Sequence, residues 1–436
     1  MINFINKYVR KRHEGELYEL KSKNSLLNKL EILLERPVID SFPPWLEVEF
    51  TNACNLRCFM CYQSNHDITY AQMSDETLGQ VINILPFVKT ILIAGLGEQL
   101  LYQKLGLFLK NAKHCLCDVQ MFTNGHLIHK NLDIFKYISK LTISFDGATK
   151  EDFETQRYGA NFNKVISNIK LLRKTYPGLK ITLGCVVSKL NVHHLEQVVN
   201  IAANLGVYGV TFPHVQHAPK IELTKSDYRI IKNQINKAKC VANKNSIALS
   251  FNDIEYIKNI NSQKKEIGHA ELLADINTES RHRQEITPKD AIGLQNITGA
   301  PMSFSGEAKI NIYKGIKKAI QSLDSKIEKA EEEIRKKRIR SISEPYCLAP
   351  WVYGFIKMNG NFRLCPYFDF EAGNINMFRE KGLNENSMVD IRKSLLSKTD
   401  MLTVCETCPD SYHREFSFEE FKNVAGMHKI TVKENQ

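Results

Sequence analysis

No run of about 18 apolar residues occurs in the chain, which leaves no candidate for a membrane-spanning helix. The opening MINFINKYVRKRHEGE is basic, but no apolar stretch or small-residue cleavage site follows it, so it predicts no secretory signal. The expectation is a cytoplasmic protein, in which 11 cysteines are better explained by metal ligation than by disulfides. No DNA- or RNA-reading module is visible, so no nucleic-acid partner is expected, and there is no internal repeat. Acidic residues are the minority sign: 48 Asp and Glu against 59 Lys and Arg leave a net charge of +11. That excess favours an anionic substrate or partner, and it serves solubility equally well. The apolar share of 43% and charged share of 25% are those of a globular protein, and 436 residues suffice for two domains or for one with a large insertion.

What the chain does contain is organised around TNACNLRCFMCYQ, where Cys54, Cys58 and Cys61 stand in C-x3-C-x2-C spacing. Three thiolates this close in sequence can hold three irons of a cubane iron–sulfur cluster. The fourth iron then keeps an open position, as a catalytic metal site does. A zinc site would want a fourth Cys or His nearby, in paired spacing. The segment before the motif alternates Leu46, Val48 and Phe50 with Glu47, Glu49 and Thr51, so one face of that strand is polar. A ligand-holding barrel lumen explains this pattern, and a solvent-facing edge is the alternative.

From residue 45 to about 213 strand and helix alternate six times. The strands are expected at 45–51, 89–94, 117–122, 139–145, 179–187 and 207–212, with helices near 75–86, 104–113, 128–137, 163–175 and 193–205. Such alternation means a parallel sheet with right-handed crossovers, whose active site lies at the C-terminal strand ends. Before it, Leu17, Leu20, Leu27, Leu30 and Leu34 fall at helical spacing and Pro37 stops the pattern, predicting two helices within residues 1–40 that brace the next domain.

Three strand ends carry short polar turns: Gly95-Leu96-Gly97-Glu98, Thr123-Asn124-Gly125 and Ser144-Phe145-Asp146-Gly147. Arg157 follows in Gln-Arg-Tyr-Gly. Each turn alone is commonplace. Together, in order and behind the cysteine motif, they resemble the radical S-adenosylmethionine (SAM) superfamily. Met60 stands before the last cysteine, where the family has an aromatic or other apolar residue. Leu96 replaces a glycine of the family's Gly-Gly-Glu turn, and Gln99 stands where relatives often have proline. The resemblance implies an α/β fold with a partial (β/α)6 barrel over residues 41–213. It also implies a [4Fe-4S] cluster on Cys54, Cys58 and Cys61, and SAM held by Gly95, Gly97, Glu98, Thr123, Asn124, Ser144, Asp146 and Arg157. Glu98 would accept from the SAM ammonium, while Ser144 and Arg157 would meet its carboxylate or ribose.

Residues 214–345 are expected to hold the remainder of the barrel and a helical or loop insertion. Thr224 and Asp227 are placed as an N-cap pair for a helix over 224–241, and about 245–251 reads as a further strand. The stretch 263–310 is polar and reads as a lid or loop. Further on, Ile316, Ile320, Leu323, Ile327, Ala330 and Ile334 form a coiled-coil-like seam. It would serve a dimer through helix 314–338 or pack on its own protein, and the second reading is preferred. In residues 346–436, Cys347, Cys365 and the pair Cys405 and Cys408, with Gly360 and Gly373-Asn374-Ile375, resemble the SPASM/twitch domain that follows many radical SAM barrels. The resemblance implies an auxiliary [4Fe-4S] cluster on those four thiolates, in the shorter twitch form; a zinc ribbon is the alternative. Cys185, in the fifth strand, is a candidate hydrogen-atom donor if it faces the lumen.

The activity implied is reductive cleavage of SAM to a 5′-deoxyadenosyl radical that takes hydrogen from a substrate. An external one-electron donor of flavodoxin or ferredoxin type would feed the cluster. Oxidation of a small molecule, carbohydrate or peptide is the preferred outcome, by dehydrogenation or crosslinking. Epimerisation through a cysteine donor is the alternative, and a non-catalytic iron–sulfur electron carrier is a third reading. That third reading would need the cysteines but not Glu98, Ser144 and Arg157.

Overall fold

A computed structural model describes residues 2–64, 66, 68–215, 218, 220–251, 306–337, 349–365, 373–375, 384 and 386–397. The six expected strands are β1 (Trp45–Val48), β3 (Thr90–Ile93), β4 (Asp118–Thr123), β5 (Lys140–Ser144), β7 (Lys180–Gly184) and β8 (Gly209–Phe212). Two short strands, β2 (Arg57–Cys58) and β6 (Arg157–Tyr158), pair with each other outside the main sheet. The further strand expected near 245–251 is β9 (Ala248–Phe251), parallel to β8. From the C-terminal region come β10 (Tyr353–Ile356), β11 (Asn361–Arg363) and β12 (Gly373–Asn374).

These strands make one sheet in the order β12-β11-β10-β1-β3-β4-β5-β7-β8-β9. All pairs from β10 across to β9 are parallel, while β11 and β12 are added antiparallel at one edge. The order is linear, so among the described residues the sheet is an open, partial barrel. The C-terminal segment contributes to this sheet directly, because β10 pairs with β1 in register from Trp45 opposite Tyr353 to Val48 opposite Ile356.

Alternation divides the sheet into two chemically distinct faces. Val48, Ile93, Met121, Leu141 and Ile181 lie in successive register positions and are all buried, forming one row of the face under the helices. On the other face the rows run Glu47, Leu92, Gln120 and Phe122, Thr142, Thr182, with Ser144, Gly184, Thr211 and Ser250 nearest the C-terminal ends. The polar lumen expected from Glu47 and Glu49 is this second face.

The covering helices are α2 (Asp75–Ile84), α3 (Leu105–His114), α4 (Lys150–Gln156), α5 (Phe162–Thr175), α6 (Leu195–Asn204) and α7 (Tyr228–Asn245), with α1 (Ile2–Leu33) preceding them. The expected helix at 128–137 is instead two 3-10 turns, Ile128–Lys130 and Leu132–Tyr137. Between them the Asn131 side chain donates to Leu127 O at 3.1 Å, a local bond that competes with helix formation. Thr224 and Asp227 form the expected reciprocal cap, the Thr224 N–H donating to Asp227 Oδ2 at 2.7 Å.

One expectation needs correction, and one choice between readings is decided in favour of the preferred one. Residues 2–33 form one helix rather than two, ending where Glu35 turns left-handed (φ 52°) just before Pro37. The seam of α8 (Gly306–Lys337) is filled by α1 of the same chain. Ile316, Ile320, Leu323, Ile327, Ala330 and Ile334 bury themselves against Leu17, Leu20, Leu27, Leu30, Leu33 and Leu34. Lys326 pairs with Asp40 at 2.8 Å and Arg36 with Glu333 at 2.5 Å along its edges. The stripe that suggested a dimer through 314–338 is therefore already covered. Leu30 is fully buried in this seam, so Leu30→Ala is expected to cost about 2–5 kcal/mol. Urea denaturation checks this; an unchanged midpoint would show that the α1–α8 seam adds nothing to stability. A short helix, α9 (Ala349–Val352), leads into β10, and α10 (Asn386–Ser397) follows the hairpin.

Candidate active site

The cysteine loop leaves β1 at the C-terminal edge of the sheet and is tied to its surroundings by backbone bonds. Cys58 lies opposite Arg157 in the β2–β6 ladder, and Phe59 N–H donates to Gln156 O at 2.8 Å. Arg57 folds its guanidinium back onto Cys54 O and Leu56 O, both at 2.9 Å, and onto Tyr70 Oη at 2.5 Å. Asn52 bonds Thr69 O and Ala71 N–H, so the loop is braced from its far side as well.

The turn after β3 lies against this loop. Glu98 N–H donates to Ala53 O at 2.8 Å. A Cβ on Gly97 would lie 2.3 Å from Thr51 O, and one on Gly95 would lie 2.5 Å from the Glu49 side chain. Gly95 also has a φ of 136°, which only glycine adopts readily. What requires these glycines is the chain's own loop and Glu49. Leu96, in place of a family glycine, is 40% exposed and so tolerated.

Glu98 is buried and its carboxylate is already engaged. Oε1 accepts from Thr123 Oγ1 at 2.8 Å and from Leu100 N–H at 3.2 Å, and Oε2 accepts from Asn124 N–H at 2.7 Å. Burial pushes its pKa up while these bonds pull it down. Glu98 thus joins the turns after β3 and β4. Asn124 carries the connection onward, its side-chain amide donating to Asn55 Oδ1 at 2.9 Å and lying 3.9 Å from Cys54 Sγ.

Arg157 and Asp146 form a buried ion pair at 2.6 Å, and Arg157 Nη1 lies 3.8 Å from Cys58 Sγ. Asp146 Oδ1 also accepts from Val186 N–H at 2.6 Å. Arg157 therefore faces the cluster loop with one arm and the β5 turn with the other. His126 secures the segment after β6: its Nε2 accepts from Asn161 N–H at 2.6 Å, and burial lowers its pKa to about 4, keeping the imidazole neutral. Ser144 sits half-buried on the lumen row.

The three loop thiols are half-buried and interact electrostatically with one another. Burial pushes Cys54 up to about 11, with Glu98 adding to the rise, and Cys58 up to about 12 against the opposing pull of Arg157. Burial raises Cys61 as well. Ligation must then displace protons from these thiols. Among the described residues no three His, Cys, Asp or Glu side chains are gathered to hold a single metal ion. A cubane gives each thiolate its own iron. Three thiols on one anchored loop, beside the Arg157 guanidinium that offsets anionic charge, fit that group.

Other expected residues stand elsewhere. Cys185 follows β7, two residues past Leu183, and is fully buried in the apolar core, with the Asn191 amide 3.6 Å from its sulfur. It does not line the lumen, because the alternation that places Gly184 inward turns position 185 outward. Cys365 is half-buried just after β11, while Cys347, Cys405, Cys408 and the stretch 263–305 lie outside the described residues.

Glu47 and Glu49 were legible as a polar strand face but not as part of the site. Glu49 is buried at the mouth and accepts from Leu96 N–H at 2.6 Å. Glu47 accepts from the Tyr353 hydroxyl. Burial pushes the Glu47 carboxyl up to about 7; the Tyr353 bond opposes this and Glu49 adds to it. With a folded pKa above the unfolded value near 4.5, the folded state binds more protons. Stability from this group is present below pH 4.5 and lost as pH rises through 7. Glu47→Gln is expected to flatten the fall in urea midpoint across that window. A steeper fall in the variant would contradict the assignment.

The chain matches one family model and several known proteins. Residues 48–202 match the family model described as Radical SAM superfamily. A probable GTP 3′,8-cyclase from Methanocaldococcus jannaschii is 26% identical over 168 residues, covering 37% of this chain and 55% of that protein. The sporulation killing factor maturation protein SkfB of Bacillus subtilis is 24% identical over 189 residues, covering 41% and 45%. The chain thus spans about half the length of these curated relatives. Among solved structures, Streptococcus suis SuiB bound to precursor peptide SuiA aligns with a TM-score of 0.49 and 14% identity, covering 81% of this chain and 66% of that one. Native anSMEcpe with bound AdoMet and the Cp18Cys peptide aligns with a TM-score of 0.49 and 15% identity, covering 89% and 98%. The match to the Radical SAM superfamily model thus falls on residues 48–202, the part of the chain that holds the cysteine loop and the strand-end turns.

Proposed function

We propose that the protein is a radical SAM enzyme that removes hydrogen from a substrate and oxidises it, by dehydrogenation or crosslinking. The observation that carries this reading is the convergence at one barrel mouth of the Cys54–Cys61 loop, the Glu98–Asn124 junction and the Arg157–Asp146 pair. A [4Fe-4S] cluster on Cys54, Cys58 and Cys61 would supply the electron that cleaves SAM and so generates the hydrogen-abstracting 5′-deoxyadenosyl radical. The chain's residues do the rest. Arg157 places a fixed positive charge beside Cys58, and Asp146 holds that guanidinium in place. Glu98 and Asn124 keep the two neighbouring turns in a constant relation to Cys54. The thiols must lose their protons on loading, and the adjacent guanidinium favours that loss.

The substrate proposed is a peptide or a small, carbohydrate-like molecule. SkfB, named as a maturation protein of a killing factor, supports the peptide form, and the GTP 3′,8-cyclases support the small-molecule form. Residues 346–436 are proposed to hold an auxiliary cluster on Cys347, Cys365, Cys405 and Cys408, fully ligated and so suited to electron transfer. Cys185, turned away from the lumen, gives no support to epimerisation. Anaerobically reconstituted protein given dithionite and SAM is expected to release 5′-deoxyadenosine slowly without substrate. Release no faster than from the cluster-free protein would overturn the reading.

A further inference from the structure

Gln99 occupies a position that the proposed function leaves unused, and its surroundings are specific. The side chain is 1% exposed and reaches from the turn after β3 back to the exit of β1. Its Oε1 accepts from Phe50 N–H at 2.7 Å and from Thr51 N–H at 3.3 Å. Its Nε2 donates to Thr51 O at 3.0 Å and to Gly97 O at 3.3 Å. A primary amide has two donor hydrogens and one acceptor oxygen with two lone pairs, so every hydrogen-bonding capacity of this side chain is used. The amide pairs with the Thr51 peptide much as a neighbouring strand would, at the point where β1 has ended and the loop to Cys54 begins.

We infer that Gln99 is a positioning residue for the cluster loop: its side-chain amide sets the path of Phe50 and Thr51, and with it the place of Cys54 relative to the Gly95–Glu98 turn. This rests on the proposed radical SAM function. Neither glutamate nor proline reproduces the contact. Glutamate keeps the acceptor but turns a second oxygen on the Thr51 and Gly97 carbonyls. Proline, at the first position of the 3-10 turn Gln99–Leu101, fits the backbone there but leaves Thr51 without a partner amide.

Gln99→Pro and Gln99→Glu, reconstituted anaerobically beside the wild type, test the inference. Both are expected to keep the wild-type iron content. SAM affinity, read from the SAM-induced change in the electron paramagnetic resonance spectrum of the reduced cluster, should fall about tenfold, equivalent to about 1.4 kcal/mol. Wild-type affinity and spectra in both variants would overturn the inference. Hydrogen–deuterium exchange on the wild type without cluster is independent of variant folding. The Phe50 and Thr51 amides should exchange as slowly as those inside β1, and fast exchange would overturn the clamp. A wild type whose spectrum ignores SAM would fail the radical SAM reading instead, with the exchange result still deciding the clamp.

Discussion

Replacing Cys54, Cys58 and Cys61 together by alanine will remove about four of the roughly eight irons expected in the reconstituted protein and lower 5′-deoxyadenosine release to background. The expectation follows from where the thiols stand. They share one loop, and no described Cys, His, Asp or Glu set offers a replacement site for a metal ion. The loop should survive the loss, because its anchors are the β2–β6 ladder, the Asn52 bonds and the Glu98 N–H to Ala53 O bond, none of which uses sulfur. Iron and sulfide analysis checks the first part and product chromatography the second. Unchanged release by the triple variant would remove SAM cleavage from the loop. A wild type holding about four irons with stoichiometric zinc would instead remove the auxiliary cluster.

Asp146→Ala is expected to destabilise the protein by about 3–5 kcal/mol, because it leaves the Arg157 guanidinium buried without its carboxylate. The pair is 2.6 Å apart with side-chain exposures of 8% and 0%, so solvent does not screen it as it would a surface pair. The cost should be largest in the cluster-free protein, where the one other described carboxylate acting on Arg157, Glu98, is already held by Thr123 and Asn124. Replacing Asp146 and Arg157 together should cost less than the two single changes summed, since neither charge is then stranded. Urea denaturation of the two single variants and the double variant measures this coupling. A single-variant cost under about 1 kcal/mol would place the pair among exposed, weakly contributing bridges.

The strands were legible because a parallel sheet covered by helices needs apolar runs of fixed length, as in Ile91 to Ile93. The two faces of β1 were legible because alternation survives in any strand with a polar lumen. The missed 128–137 region had helical spacing, and Asn131 broke it through a local bond that spacing does not record. Gln99 was visible only as a departure from proline; its four bonds join residues 48 and 49 positions apart, and also Gly97, two positions away.

By itself the sequence determined the cluster motif, the six-unit alternation and the order of the strand-end turns, since each depends on residues close together in the chain. Only the tertiary structure decided which groups those turns satisfy. Glu98 spends its oxygens on Thr123 and Asn124, Arg157 on Asp146, and the α8 seam on α1, while Cys185 turns into the core. It also placed β10 beside β1, joining residues 353–356 to 45–48. The physical reason is common to all of these. A buried charge or apolar stripe must find a partner, and the partner is chosen by proximity in space, which local spacing does not encode.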